Sequence, residues 1–437
     1  MTRVDLRTAA SGGTGNRAAQ RVVRAVREFA GVPLLVVAGF LVLAVASIVA
    51  DQAHAPVVDR FRSLLGTVIG RDSATTALQA VATGLVTLTS ITFSVLLLAV
   101  QQTATSLSPV VFDQFVRRRG NQVLLGFFVG LTLYAYVVVT AVPDDTAPVI
   151  GAALATLLTA IALVGLLVLV YTTIDQMRPV NVLRQIRDRT LRARHRELPL
   201  IMHTRREETS PHPVTATYRS TVTGYVTRID LRRLGRALRQ VPRAEIRLHV
   251  TLGGHLAFGD IVATVRDDHR SDAERVADEV RAAVVIGATP DLDTDATTGI
   301  DELANIAWTS GSTAKHNPET ARRAIHSLQD VAARWLAEDV PDVEGRLAVV
   351  YPDDDLDRLL DVFYSLLIVS HESQQHMTAV QVLDAYGSLL AQADGTVRDR
   401  LRRDLATADP LLDALPFSPA LRRARQRLHA VLNEVGR

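Results

Sequence analysis

The sequence predicts a membrane α-helical protein with four transmembrane helices, followed by a cytoplasmic α+β region. That region divides into a small β barrel or sandwich and then a helical domain. The 437-residue chain is 48% hydrophobic, yet only 5% of it is aromatic. Four stretches before Arg178 lack Asp, Glu, Lys, Arg and His over membrane length. Beyond Arg178 the chain is rich in charge, and its periodicity is first strand-like and then helical. The expected division is a basic N-terminal segment over 1–32, a membrane domain over 33–177, a membrane-proximal helix and linker over 178–211, a β-rich domain over 212–268 and a helical domain over 269–437.

A bilayer core of ~30 Å needs ~20 apolar helical residues. The first span runs from Pro33 to Ala50, with Pro33 suited to a helix start. The second runs from about Ala77 to Val100, the third from Val123 to Val142, closed by Pro143, and the fourth from Val149 to Tyr171. The first span is too long, and too poor in a small-x-small cleavage site, to read as a signal peptide. The segment Val57–Gly70 is amphipathic and suits either the outer interface or an ordinary packed helix.

Basic residues near span ends set the orientation. Arg3, Arg7, Arg17, Arg21, Arg24 and Arg27 precede the first span, and Arg117, Arg118 and Arg119 separate the second from the third. Arg178, Arg184, Arg187, Arg189, Arg192, Arg194 and Arg196 follow the fourth. The loop between the third and fourth spans, PDDTAP, has no basic residue, and the loop between the first and second holds only Arg60, Arg62 and Arg71. These clusters share one side, so both termini are expected in the cytoplasm of a bacterial inner (plasma) membrane. The basic residues are almost all arginine, with one lysine, Lys315, which fits a high-GC bacterial genome.

The second span contains TGLVTLTSITFS. Thr76, Ala80, Thr83, Thr87, Ser90, Ser94, Leu97 and Gln101 recur at alternating steps of four and three, with Gln79 beside them. One face of this helix is therefore small and hydroxylated, while Leu85, Leu88, Ile91, Val95 and Leu98 make the opposite face greasy. Such a stripe serves either close helix packing or the wall of a wet pathway. In the second case Arg117, Arg118 and Arg119 would ring the inner mouth. Gly126 and Gly130 in the third span form a small-xxx-small pair, a helix-packing signal. No intramembrane charge of the kind used in proton relays is present in the four spans.

Beyond the membrane, Asn181–Leu198 reads as an Arg-rich helix that continues the fourth span and can touch anionic headgroups. Tyr218–Asp230 and Glu245–Val265 read as strand pairs with Gly turns, flanking a short helix, LRRLGRALRQV. The GDIVATV stretch resembles the turn of biotinyl and lipoyl carrier folds, but no lysine lies there to carry a prosthetic group. Helical periodicity follows over Ala273–Val285, Gly299–Ala307, Pro318–Ala337, Leu356–Ser370, Thr378–Ala391, Arg398–Ala406 and Pro419–Val435. LAVVYP, Leu347–Pro352, reads as an isolated strand.

These pieces resemble the bacterial predicted membrane protein family known as domain of unknown function 2254. The resemblance lies in SITFSVLLLAVQQTATSLSPVVFDQFVRRRGNQVLLGFFVGLTLYAY, with Ser108-Pro109, Phe115 and Asn121-Gln122 through Leu125-Gly126 in the family's places. GYVTRID, the GDIVATV region, DATTGIDELANIA and STAKHNPETA then follow in the family's order. The chain departs from the commoner Ser-Pro-x-x-Asn-Asp-Pro element, reading Ser312-Thr313-Ala314-Lys315-His316-Asn317-Pro318. The resemblance implies architecture and leaves activity open.

The absence of cysteine removes disulfides, zinc thiolates and cysteine nucleophiles. No Walker loop, dinucleotide fingerprint, serine elbow or paired catalytic carboxylates occur, so the chain reads as no enzyme and calls for no cofactor. Asp291, Asp293, Asp295 and Glu302 take calcium-loop positions, but Ala296 replaces the required glycine; the competing reading is an acidic helix start capped by Thr297 or Thr298. His371 and His376 stand five apart, which breaks zincin spacing. PDDDLD, Pro352–Asp357, reads as acidic helix capping. Ser312, Lys315, His316 and Asn317 precede a Pro-started helix and form a candidate anion or ligand loop.

The leading functional expectation is a homo-oligomeric ion channel or channel-like permeation protein, with a cytoplasmic domain that regulates or assembles it. The alternative is a membrane-anchored sensor or scaffold whose cytoplasmic domain binds a ligand or protein partner. The expected partners are the bilayer, further copies of the chain, and ions or a small ligand; nucleic acid is not expected.

Overall fold

The computed structural model describes residues 13–52, 74–106, 119–141, 148–176, 178–312, 318–338 and 345–435. The chain forms two compact units, Met1–Arg178 and Pro179–Arg437.

The first unit contains α1 (Gly13–Gln52), α2 (Ala74–Ser106), α3 (Arg119–Ala141) and α4 (Val149–Gln176). Each holds a segment long and apolar enough to cross a membrane: Ala30–Gln52, Ala74–Val95, Gln122–Ala141 and Val149–Thr172. Leu35, Val42, Leu157 and Leu167 stand on the outside of the unit, as expected where the solvent is lipid. Phe40 and Ala44 of α1, Leu78 and Leu85 of α2, Phe128, Leu131 and Tyr134 of α3, and Ala155 and Ala162 of α4 form its core.

Two findings differ from the expected spans. Pro33 does not start a helix, because α1 runs through it from Gly13. Membrane helices tolerate an internal proline where neighbours cover the freed backbone, and here Gly126 of α3 lies against Pro33. Asp51, just past the apolar run, is buried and accepts from Ile150 N and Gly151 N, both at 2.9 Å. It therefore satisfies the first free N–H groups of α4 and places negative charge at that helix's positive end.

The second unit opens with α5 (Pro179–His203), which starts anew at Pro179 rather than continuing the fourth span. Proline lacks the N–H needed inside a helix and disfavours helix at the residue before it. Val182, Leu183, Ile186, Thr190, Ala193 and Leu200 of α5 are buried within the unit, so one face of this Arg-rich helix is spent on packing. Thr190 meets Gly299 so closely that a Cβ at Gly299 would lie 1.9 Å from the Thr190 hydroxyl.

The β region is two small sheets, and neither is a closed barrel. The strands are β1 (Val214–Arg219), β2 (Gly224–Ile229), β3 (Glu245–Leu248), β4 (His255–Leu256), β5 (Ile261–Arg266), β6 (Val284–Gly287) and β7 (Val349–Val350). One sheet has the order β1-β5-β3-β7 and the other β4-β2-β6. The GDIVATV segment supplies β5, which pairs antiparallel with β1 and β3. Strands β6 and β7 lie outside 212–268, so the sheets recruit chain assigned to the helical domain, β6 from the end of the helix expected over Ala273–Val285 and β7 from the strand expected in LAVVYP. LAVVYP is not isolated: Val349 and Val350 pair parallel with Ile246 and Arg247. Between the strands, α6 (Leu231–Gln240) and α7 (Arg270–Ala283) complete a core that includes Leu234, Val262, Val265, Val276 and Val280.

The remaining helices are α8 (Ala296–Gly311), α9 (Pro318–Leu336), α10 (Asp355–Glu372), α11 (His376–Gln392), α12 (Gly395–Asp413) and α13 (Pro419–Val435). They bury apolar faces at helical spacing, such as Leu359, Phe363, Leu366 and Leu367 on α10 and Val382, Leu383, Tyr386 and Leu389 on α11.

Candidate functional site

In α2 the burial pattern runs in part against that expected in a bilayer. Ala74, Leu78, Ala82, Leu85 and Leu88 are buried against the unit, while Thr76, Gln79, Thr83, Thr87, Ser90, Ser94 and Gln101 are all exposed. From Ala74 to Leu88 the hydroxyls face out and most greasy residues face inward, Val86 excepted; beyond Leu88, Phe93 and Leu97 share the exposed side with Ser90 and Ser94. Ile91 and Leu98 differ from the expected division, since they too are exposed. The α2 span has a mean hydropathy of 1.5, against 2.8, 2.2 and 2.7 for the other spans. Two stripe hydroxyls bond their own helix: Thr83 Oγ1 donates to Gln79 O at 3.0 Å and Ser94 Oγ to Ser90 O at 2.9 Å. The flanking residues do the packing. Thr89 and Thr132 of α3 share a hydroxyl bond at 3.0 Å, and Thr92 is buried, bonded to Leu88 O at 2.9 Å.

Gly126 and Gly130 do what small residues do at helix contacts. A Cβ at Gly126 would lie 2.8 Å from Pro33 Cα, and one at Gly130 would lie 2.5 Å from Phe40 Cδ2. Arg117 and Arg118 lie outside the described residues, as do Lys315, His316, Asn317 and the segment Val57–Gly70. Arg119 is exposed at the start of α3. Ser312 caps the end of α8, its N–H bonded to Trp308 O at 2.9 Å.

The calcium-loop residues do not converge, and no group of three or more metal-ligating side chains exists among the described residues. Asp295 is the α8 N-cap, accepting from Thr298 N at 3.2 Å and from the Thr298 hydroxyl, in place of the Thr297 or Thr298 cap expected. Its carboxyl fills the space beside Gly253, whose φ of +76° suits glycine. Burial raises its pKa from the ordinary aspartate value.

Sequence reasoning missed a buried charge cluster in the second unit. Arg194 of α5 is 6% exposed. Its Nη1 and Nη2 donate to Asp353 Oδ1 and Oδ2 at 2.6 and 3.0 Å, its Nη1 to Asp355 Oδ2 at 3.3 Å, and its Nε to Glu338 Oε2 at 3.2 Å. The guanidinium also lies over the Trp335 ring, 5.3 Å from its centre. One turn along α5, Glu197 is buried and accepts from the Tyr351 hydroxyl, which itself accepts from Leu252 N at 3.1 Å. Asp355 accepts from the Thr297 hydroxyl at 3.0 Å. The PDDDLD segment is therefore more than a helix cap: two of its acids are spent on Arg194.

Several buried carboxylates around one guanidinium cannot all stay charged cheaply. Desolvation, helped by the Asp355 charge, pushes Glu197 up to about 9. Desolvation pushes Asp355 up to about 6 against the pull of Arg194. Burial and the neighbouring Glu197 raise the Tyr351 hydroxyl well above its ordinary value. For Arg194, burial works against the charge, but the Asp353 bond and the fields of Asp353, Asp355 and Glu338 outweigh it and raise its pKa.

A family model described as "Predicted membrane protein (DUF2254)" matches residues 27–385, a span that holds all four apolar segments and the Arg194 cluster. The chain belongs to that family. No curated protein and no solved structure matches it. In this DUF2254 chain the family match takes in both features built above, the exposed hydroxyl face of α2 and the buried charge cluster of the second unit. It ends within α11, so α12 and α13 lie beyond it.

Proposed function

We propose that this DUF2254 protein assembles from several copies in a bacterial inner membrane and forms an ion-conducting path walled by α2. The outward position of Thr76, Gln79, Thr83, Thr87, Ser90 and Ser94 carries this reading. Hydroxyls that turn away from their own bundle favour water or another helix over hydrocarbon. Neutral hydroxyls replace part of an ion's hydration shell without trapping the ion. In this reading Arg117, Arg118 and Arg119 flank the inner mouth, both termini lie in the cytoplasm, and the second unit regulates or assembles the path. The reading assigns no catalytic step.

A second reading has its own support. Thr83 and Ser94 already bond carbonyls of their own helix, which lets such residues pack as a seam between copies. The protein would then be a membrane-anchored sensor or scaffold. Ion flux from liposomes holding the purified protein, with the oligomer's mass fixed in detergent, separates the two. A path predicts flux that Ser90→Leu removes while the oligomer survives. A seam predicts an oligomer without flux, weakened by Ser90→Leu, and that outcome overturns the channel.

A further inference from the structure

A cleft of about 400 Å³ in the second unit borders the Arg194 cluster, and Arg206, Arg400, Arg403 and Trp335 line it together with the start of α12. Its carboxylates are already engaged. Glu338 and Asp353 accept from Arg194, and Asp357 accepts from Arg400, which also reaches Asp361 at 2.6 Å. Asp404 stands behind Arg400, 3.9 Å from its Nε. Arg206 and Arg403 differ from the other two arginines. Both are exposed, and neither guanidinium makes a hydrogen bond or salt bridge to any described residue.

Trp335 and the start of α12 also border this cleft. Trp335 is 7% exposed, and its indole N–H has no acceptor among the described residues. Buried polar groups without partners are uncommon. The first turn of α12 enters the lining through Thr396 and Val397. Its Asp394 cap accepts from Val397 N and the Thr396 hydroxyl through the side chain and from Arg398 N through the carbonyl, and the positive end of this 19-residue helix borders the cleft. An entering anion thus meets the guanidinium groups of Arg206 and Arg403, while the acids beside it are held by arginines.

We propose that this cleft binds a small phosphate-bearing anion, with Arg206 and Arg403 gripping the phosphate at the first turn of α12. Two guanidinium forks offer more N–H groups than one carboxylate can accept, and a phosphate has oxygens for both. The volume exceeds that of a bare phosphate, and Leu356 and Val397 give an apolar wall for an organic group. The site supplies a ligand for the second unit whether α2 walls a path or a packing seam, so it stands or falls separately from ion flux.

The test is calorimetric titration of the full chain in detergent with inorganic pyrophosphate as the probe. Saturable binding is expected with one site per chain, and Arg206→Gln and Arg403→Gln should each weaken it by about tenfold or more. Arg232→Gln, an exposed α6 arginine outside the cleft, should leave it unchanged. Both cleft arginines are exposed and make no hydrogen bond or salt bridge to a described residue, so the unliganded variants should melt like the parent, which scanning calorimetry checks. No saturable binding at about 10 mM pyrophosphate overturns the proposal, as does binding that survives both substitutions or falls equally with Arg232→Gln.

Discussion

Arg194 and Asp353 form a two-pronged pair, Nη1 to Oδ1 at 2.6 Å and Nη2 to Oδ2 at 3.0 Å, with side chains only 7% and 9% exposed. Removing the guanidinium would leave Asp353, Asp355 and Glu338 facing one another without their cation. Breaking a buried pair from one side costs about 3–5 kcal/mol. Arg194→Met is therefore expected to lower the melting temperature of the second unit by roughly ten degrees or more. Arg194→Lys should recover only part of the loss, because an ammonium cannot make the two-pronged bond while also reaching Glu338. Thermal unfolding of the two variants side by side checks the order.

The pH dependence follows from Glu197 and Asp355, whose folded-state pKa values lie near 9 and 6, above the ordinary 4.5 and 3.8. Below the ordinary values both groups are protonated in either state, and the cluster carries no penalty. As pH rises, the unfolded chain releases these protons first while the folded chain retains them. Stability from this source therefore falls from about pH 4, with the Asp355 part complete near 6 and the Glu197 part near 9. Glu197→Gln keeps an oxygen for the Tyr351 hydroxyl and removes the titration. It should raise the melting temperature at pH 8 by a few degrees, on the order of 1 kcal/mol or more, and change little at pH 4. Equal shifts at both pH values would contradict the assignment.

The membrane spans and the α2 stripe were legible because both are local. An apolar run between charges needs no distant partner to be seen, and hydroxyls at steps of three and four share a helix face whatever surrounds them. The Arg194 cluster was not legible, since its acids lie 144, 159 and 161 residues away. Nothing within α5 separates Arg194 from Arg192 or Arg196 until burial does. The short strands escaped for another reason: β7 holds only two residues, too few to show a period, and β6 begins where the α7 helix ends. Asp51 lies one residue past the apolar run expected for the first span, so a search for charge inside that span passes over it.

The glycine pair of α3 should not tolerate change equally. A methyl at Gly126 would press on Pro33 Cα at 2.8 Å and Pro33 O at 2.9 Å, which are backbone atoms that yield only if the helices part. A methyl at Gly130 would press on side-chain atoms alone, Phe40 Cδ2 at 2.5 Å and Cγ at 3.1 Å, which shift at less cost than backbone. Gly126→Ala is expected to cost about 1–3 kcal/mol and Gly130→Ala less. Unfolding of the purified variants in detergent measures the difference, and a reversed order would mean that α1 and α3 meet in another register.

The approach of α8 to α5 gives a prediction with an internal control. A Cβ at Gly299 would lie 1.9 Å from Thr190 Oγ1 and 2.9 Å from Thr190 Cβ. Thr190 is fully buried, and its hydroxyl is committed to Ile186 O at 2.9 Å, so it has little room to turn. Gly299→Ala alone is expected to destabilise the second unit by about 1–3 kcal/mol. Thr190→Ala removes the nearer atom and leaves the farther one, so the double variant should recover part of the loss and not all of it. The interaction energy from the four-variant cycle should be favourable by about 0.5 kcal/mol or more. Additive effects would place the cost of Gly299→Ala elsewhere than at the Thr190 side chain.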